Sequence, residues 1–346
     1  MLEYILVFYS WCINNVNMNL SDDGRGREKD EMEFIKAAAV LFMAVICFVY
    51  VCNSIYIRTP GHRNMVQPVE KFIKGIPDNL EIMNTGSNHA YNAIDWSIVG
   101  VNGFSLASGA QSLSWDYRLV TKYRHKIEKG KILLIVLSDL VFGFLEYPQD
   151  SANRRYYYFL EPAEIPHGTW WKKIKYKSIP VLASWKNFIH CFFHRGVLFK
   201  EHEPSLAYAE EQSDLRIAGW KAQFQLKDLQ SRESLAHLQG DIKEATGLLR
   251  RMIDESRADG VVPILMLPPL SSVINKKLGE DFIKAVLLEP VAEIAPDVPF
   301  LNYMYDERFQ DYRYYYNGDF MNQAGREKFM PVLWHDIREA AGETNL

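Results

Sequence analysis

The chain has few cysteines, no marked excess of charge of either sign and only one apolar run long enough to cross a membrane. Its four cysteines include no Cys-x-x-Cys pattern, so the sequence predicts neither a disulfide framework nor a cysteine metal site. With 39 basic and 43 acidic residues the formal net charge is −4, which gives no reason to expect nucleic acid as a partner. His190 and His194 are four residues apart, but no third ligand is evident, so no metal site is predicted.

The apolar run covers residues 37–57 and is interrupted only by Asn53 and Ser54. About 20 such residues cross a bilayer core. Because no small-residue cleavage site follows, a transmembrane signal anchor is predicted at residues 34–58, with a buried helix or a cleaved signal peptide as alternatives. Residues 1–33 form a preface. Its first 20 residues, with an apolar run at residues 4–13, are either a second interfacial segment or an upstream extension of a chain that begins at Met18 or Met32.

Beyond a predicted linker at residues 59–77, short apolar segments alternate with stretches of helical periodicity. Two of the apolar segments are uninterrupted, as is typical of parallel strands buried on both faces. This alternation predicts an α/β domain over residues 78–346, with a doubly wound parallel sheet and a ligand crevice at the carboxyl ends of its strands. The predicted strands are residues 80–84, 101–106, 131–137, 261–267 and 298–301.

An aromatic-rich insertion at about residues 145–239 interrupts this alternation. Residues 165–200 contain seven Lys or Arg and no Asp or Glu. One interpretation is a basic aromatic surface that meets anionic lipid headgroups or an anionic polymer. The other is that the aromatic residues are buried against the sheet and the lysines are solvated.

Five segments in this order carry a resemblance to a known family: residues 84–90, 103–113, 132–142, 260–269 and 314–329. Together they resemble the SGNH/GDSL ester hydrolases, and within them the membrane-anchored proteins of bacterial cell-surface polysaccharide and teichoic acid modification. The resemblance implies a flavodoxin-like sheet and no metal or nucleotide cofactor. It also implies a single-pass protein of the bacterial cell membrane with an extracytoplasmic domain, whose partner is a cell-surface glycan or an acyl-transfer membrane protein.

In that family the nucleophilic Ser lies on the turn after the first strand, and a later block supplies an Asp and a His. The matching positions hold Asn88, Asn317 and Phe320. An Asn cannot form an acyl ester and a Phe cannot accept a proton, so the resemblance implies a catalytically silent protein. The positions that match the oxyanion-binding blocks are Gly109 and the pair Ser138 and Asp139.

Two other functions stay open from the sequence. Ser87, His89 and Asp319 could form a rearranged triad, which would make the chain an active acyl esterase or O-acyltransferase on cell-surface polysaccharide. Alternatively, the chain is a structural component of a polysaccharide export or modification assembly, with the basic aromatic insertion as its contact surface.

Overall fold

A computed structural model describes residues 24–143, 145, 150–194 and 205–342. The predictions for the first 20 residues therefore lie outside the described residues. The chain divides into two compact units. One comprises Met1–Met65 with Leu160–Leu198, and the other comprises Val66–Phe159 with Phe199–Leu346.

The first unit contains the helix Gly24–Tyr56. Within it the 25 residues Met32–Tyr56 are long and apolar enough to cross a membrane, and their most apolar window is not buried in the structure. No other described helix meets both criteria. Near its end, Cys52 and Tyr56 are buried against Val181 and Phe188. The remaining elements of this unit are Pro60–Val66, Pro162–Glu164, Trp170–Lys173, Ile174–Ser178, Pro180–Leu182 and Trp185–His194.

The second unit is built on a parallel sheet, whose five described strands have the order β2-β1-β3-β4-β5. The α/β class and the parallel sheet are thus confirmed. Each observed strand overlaps a predicted one, although β3 begins four residues earlier and β2 and β5 are shorter than predicted. The strands are β1 Leu80–Asn84, β2 Gly103–Ser105, β3 Ile127–Val136, β4 Val262–Leu267 and β5 Phe300–Asn302.

Both faces of the central strand β3 are buried. Successive side chains of a strand point to opposite faces, so Ile132 and Leu134 share one face, where they pack in a cluster with Phe329 and Leu333 of the C-terminal helix. Leu133, on the opposite face, is also fully buried. Burial on both sides explains the uninterrupted apolar run. The longer helices are Leu113–Tyr123, Leu206–Gln223, Gln239–Ala258 and Gln323–Ala340, and the short helix Asn88–Ala93 follows β1.

The segment predicted as a linker, residues 59–77, is largely helical. The helix Pro60–Val66 belongs to the first unit up to Met65, whereas Gln67–Val69 and Glu70–Ile73 belong to the second. Phe72 is buried there, and its ring stacks on Phe159 with 4.2 Å between the centroids. The part of the segment that includes Phe72 therefore packs within the second unit.

The insertion, predicted as one feature, is divided between the two units. Leu160–Leu198 belongs with the N-terminal helix, and the rest belongs with the sheet. Tyr156 is buried and stacks on Trp115 with 3.5 Å between the ring centroids, whereas Trp170 and Trp171 are 67% and 63% exposed. Some aromatic residues of the insertion are therefore buried, as the second interpretation predicts, and others are exposed.

Shorter helical segments complete the second unit. They are Trp96–Val99, Arg124–Lys126, Val141–Gly143, Asp150–Tyr158, Arg232–Leu238, Ser272–Asn275, Glu280–Ile283, Lys284–Leu288, Glu289–Ile294, Glu307–Phe309 and Tyr312–Tyr314.

We predict opposite effects for two Gly→Ala substitutions in the second unit. Gly86, on the turn after β1, has φ +122°, and an added Cβ would lie 2.6 Å from the Cβ of Ala90. Gly86→Ala should therefore lower the free energy of unfolding by about 3 kcal/mol or more. Gly247 lies in the helix Gln239–Ala258 with open space around it, so Gly247→Ala should raise that free energy by about 1 kcal/mol.

Chemical denaturation of the full chain in detergent, followed by circular dichroism, measures both values. Equal stability of the Gly86→Ala variant and the wild type would contradict the account of this turn.

Candidate functional site

A cavity of about 80 Å³ lies at the carboxyl ends of β1 and β3, where parallel α/β sheets bind ligands. The turn after each strand contributes side chains to it, as does the helix Leu206–Gln223 of the insertion. The structure thus brings together most of the site residues predicted from the sequence. Its lining includes Ser87, Asn88, His89, Ser138, Asp139, Phe320, Arg216, Trp220 and Gln223.

The buried carboxylate of Asp116 accepts a hydrogen bond from the turn after β1. The Gly86 N–H donates to Asp116 Oδ1 at 2.9 Å, and Gln111 Nε2 donates to the same oxygen at 2.7 Å. Burial raises the pKa of Asp116 to about 7, and the two hydrogen bonds oppose that rise. Asp116 therefore fixes the shape of the turn that presents Ser87 and Asn88.

The side chain of Asn88 lies close to Gly109. The resemblance assigns the nucleophile position to Asn88 and the oxyanion position to Gly109. A Cβ added to Gly109 would lie 2.8 Å from Asn88 Oδ1. The absence of a side chain at Gly109 therefore makes room for the Asn88 amide. Ser87 precedes the helix Asn88–Ala93, and its hydroxyl does not cap that helix.

Beside this turn lies a buried cluster of ionisable groups. His89 Nε2 is 3.8 Å from Asp139 Oδ1 and 3.8 Å from Asp319 Oδ2. Arg216 Nε, from the insertion helix, donates to Asp319 Oδ2 at 2.5 Å. Neither ring nitrogen of His89 has a hydrogen-bond partner among the described residues.

The electrostatics of the cluster leave His89 neutral. Burial lowers the pKa of His89, and the positive charge of Arg216 lowers it further, to about 3. The two 3.8 Å contacts are therefore not ion pairs at neutral pH. Burial raises the pKa of Asp319 to about 6, opposed by Arg216, so Asp319 is ionised at pH 7 and pairs with that guanidinium. Burial, and next the charge of Asp319, raise the pKa of Asp139 to about 7.

Phe320 stands between His89 and Arg216. Its ring meets the imidazole edge to face, with 5.1 Å between the centroids and 73° between the planes. Arg216 Cζ lies 4.5 Å from the centre of the same ring, within the range of a cation–π contact. The aromatic ring is thus fixed from two sides.

Asn317 has a local role in the turn that carries Phe320. Its Oδ1 accepts a hydrogen bond from the Phe320 N–H at 3.1 Å, and it does not line the cavity. The structure therefore places Asn317 as a turn cap. A Ser87–His89–Asp319 triad is assembled only in part, since Asp319 approaches His89 while no hydrogen bond joins Ser87 to His89 among the described residues.

Sequence reasoning missed Arg216 and Asp116. Arg216 is one of many charged residues in an insertion helix without a clear apolar stripe, so no local signal distinguishes it. Asp116 did carry a signal, because three- and four-residue spacings place it on the same helix face as Leu113 and Val120. An acidic residue on a buried stripe indicates a specific partner.

Asp139→Asn should change the pH dependence of stability. The folded-state pKa of about 7 exceeds the unfolded value of 3.8, so the folded protein holds a proton that the unfolded chain releases, and stability falls as the pH rises from about 4 through 7. The Asn side chain of the variant does not titrate, so the variant does not lose stability in this way as the pH rises. Relative to the wild type it should gain up to about 4 kcal/mol of unfolding free energy between pH 4 and pH 8.

Denaturant unfolding of the full chain in detergent at both pH values measures this difference. Asp214→Asn is the matched control, because that side chain is 69% exposed and lies outside the cluster. The same wild-type-to-variant difference at both pH values would contradict the burial of an ionisable Asp139.

Comparison with protein-family models finds no match to the chain. Comparison with curated proteins finds no match either. The resemblance to SGNH/GDSL hydrolases therefore stays a prediction from the five sequence segments.

Proposed function

We propose that the chain is a membrane-anchored, SGNH-hydrolase-like protein that binds an acylated cell-surface glycan, or an acyl-transfer partner, without hydrolysing the ester. The main support is the Phe320 ring, which lies between His89 and Arg216. Phe320 occupies the sequence position at which the resemblance implies a catalytic His. The protein would act at a bacterial cell membrane with its sheet unit outside.

The strand order supports this assignment. An order of 2-1-3-4-5 in a parallel sheet is that of flavodoxin-like, doubly wound folds, which bind ligands where the order reverses. In this chain that point lies between β1 and β3, where the cavity is lined by Asn88 and Ser138. The apolar helix Met32–Tyr56 supplies the proposed anchor.

The chemistry of the crevice argues against turnover. General base catalysis works best when the pKa of the base is near the working pH, and a His89 pKa of about 3 makes that imidazole a poor base at neutral pH. The Asn88 amide cannot become an acyl ester. The cavity nevertheless keeps polar groups that can bind an ester.

The size and lining of the cavity favour a small acyl group as the part of the ligand that enters. A volume of about 80 Å³ is several times the roughly 10–15 Å³ that one water molecule needs, so the cavity can hold an acetyl-sized group. Asn88, Ser138 and Gln223 offer hydrogen-bond donors, and Trp220 offers an apolar wall. The rest of the ligand would lie outside the cavity.

One observation favours the competing function, an active acyl esterase or O-acyltransferase that uses Ser87. Asp319 lies 3.8 Å from His89, and both ring nitrogens of His89 lack a hydrogen-bond partner among the described residues. A rotation that turned this imidazole toward Ser87 would complete a rearranged triad.

Labelling with a fluorophosphonate probe separates the two functions. We expect no labelling of the full chain in detergent at neutral pH, because no base activates Ser87. An active serine hydrolase labelled in parallel serves as the positive control. Labelling of the wild type that disappears in Ser87→Ala would replace the proposed function with the enzymatic one.

Binding of an acylated glycan tests the ligand. Saturation-transfer NMR with a partly O-acetylated xylo-oligosaccharide should show contact through the acetyl methyl groups, and the chemically deacetylated oligosaccharide should bind more weakly. Ser138→Ala and Gln223→Ala each remove one hydrogen-bonding group from the lining and should weaken binding about 3- to 10-fold.

Gln212→Ala is the matched control, because Gln212 lies on the same helix as Gln223 but does not line the cavity. Equal affinity for the acetylated and deacetylated oligosaccharides would contradict an acyl-binding crevice.

A further inference from the structure

Bulky apolar side chains are exposed along one segment of the first unit. Trp170 and Trp171 are the most exposed of them, and contiguous exposed apolar side chains mark interaction surfaces. The others are Ile174, Leu182, Trp185 and Ile189.

The same segment is attached to the end of the apolar helix. Asn53 Nδ2 donates to the Ser178 carbonyl, and the Val181 N–H donates to Asn53 Oδ1, each at 3.3 Å. Tyr56, at the end of the helix, is 1% exposed and meets Phe188 edge to face with 6.2 Å between the ring centroids. The exposed tryptophans therefore belong to a unit that is fixed to the last turns of the helix.

Positive charge predominates around these side chains, and Lys173 pairs with Glu161 just before the segment. Residues 165–190 contain five lysines and no Asp or Glu. Lys173 Nζ lies 5.0 Å from the centre of the Trp170 ring, and Lys175 Nζ lies 5.6 Å from that of Tyr176. Lysines next to indole rings suit the boundary between anionic headgroups and hydrocarbon, where the ring enters and the ammonium stays at the surface.

We propose that residues 170–190 form a membrane-contact surface that lies on an anionic bilayer beside the point where the helix Gly24–Tyr56 emerges. This inference rests on the anchor of the proposed function and is independent of the crevice. Exposed aliphatic side chains such as Ile174 and Leu182 favour a bilayer over a soluble anionic polymer, because only the bilayer offers them hydrocarbon. The lysines supply the attraction to anionic lipid.

Tryptophan quenching by brominated lipid tests the surface in the full chain. The protein is placed in nanodiscs of phosphatidylcholine and phosphatidylglycerol, with the lipid brominated near the headgroup end of the acyl chain. The double variant Trp170→Phe/Trp171→Phe should show about a two-fold smaller quenched fraction than the wild type. Trp334→Phe, in the sheet unit, is the matched control and should not lower the quenched fraction.

The lysines are tested without altering a tryptophan. Wild-type quenching should be stronger in nanodiscs that contain phosphatidylglycerol than in phosphatidylcholine alone, and the difference should vanish when Lys172, Lys175, Lys177 and Lys186 are replaced by Gln.

Three results would overturn the inference. A chain that does not enter nanodiscs lacks the anchor and with it the surface, whereas a chain that enters with no change in quenching on Trp170→Phe/Trp171→Phe lacks only the surface. If added polyphosphate changes the emission of these tryptophans while the lipid charge has no effect, the surface binds an anionic polymer instead. None of these results bears on the acyl-binding crevice, which the oligosaccharide measurements test separately.

Discussion

A buried carboxyl group needs a counter-charge to stay ionised, and at the end of the sheet Asp319 has one in Arg216. This pair joins the C-terminal block to the insertion helix and fixes the guanidinium beside Phe320. The same positive charge helps to keep His89 neutral and opposes the rise in the pKa of Asp139. The shape of the crevice and the protonation of its side chains therefore depend on one residue of the insertion.

The sheet could be predicted because strands buried on both faces leave an unbroken apolar pattern. The start of β3 was not predicted, because the first part of this strand is exposed and lacks such a pattern. Residues 128–130 are exposed and include Glu128 and Lys129, so they carry no apolar pattern, although Ile127 pairs with Leu80 of β1. Backbone pairing extended this strand where the side chains gave no signal.

The candidate site could be predicted as far as it follows strand ends. Asn88 and Ser138 lie on turns that the strand order brings together, so their proximity follows from topology. The role of Arg216 depends on how a long insertion folds back, which no local periodicity encodes. The division of that insertion between two units was missed for the same reason. Its exposed tryptophans and its buried tyrosines have similar sequence surroundings and differ only in what they contact.

Asn53 interrupts the apolar run, and its two hydrogen bonds restrict the rotation of the helix. Both bonds reach the backbone of one neighbouring segment, at Ser178 and Val181. Rotation of the helix about its own axis would break both together. An apolar helix without such bonds is free to rotate about its axis in lipid. The hydrogen bonds of Asn53 instead favour one rotation angle of this helix relative to the segment that carries Trp170 and Trp171.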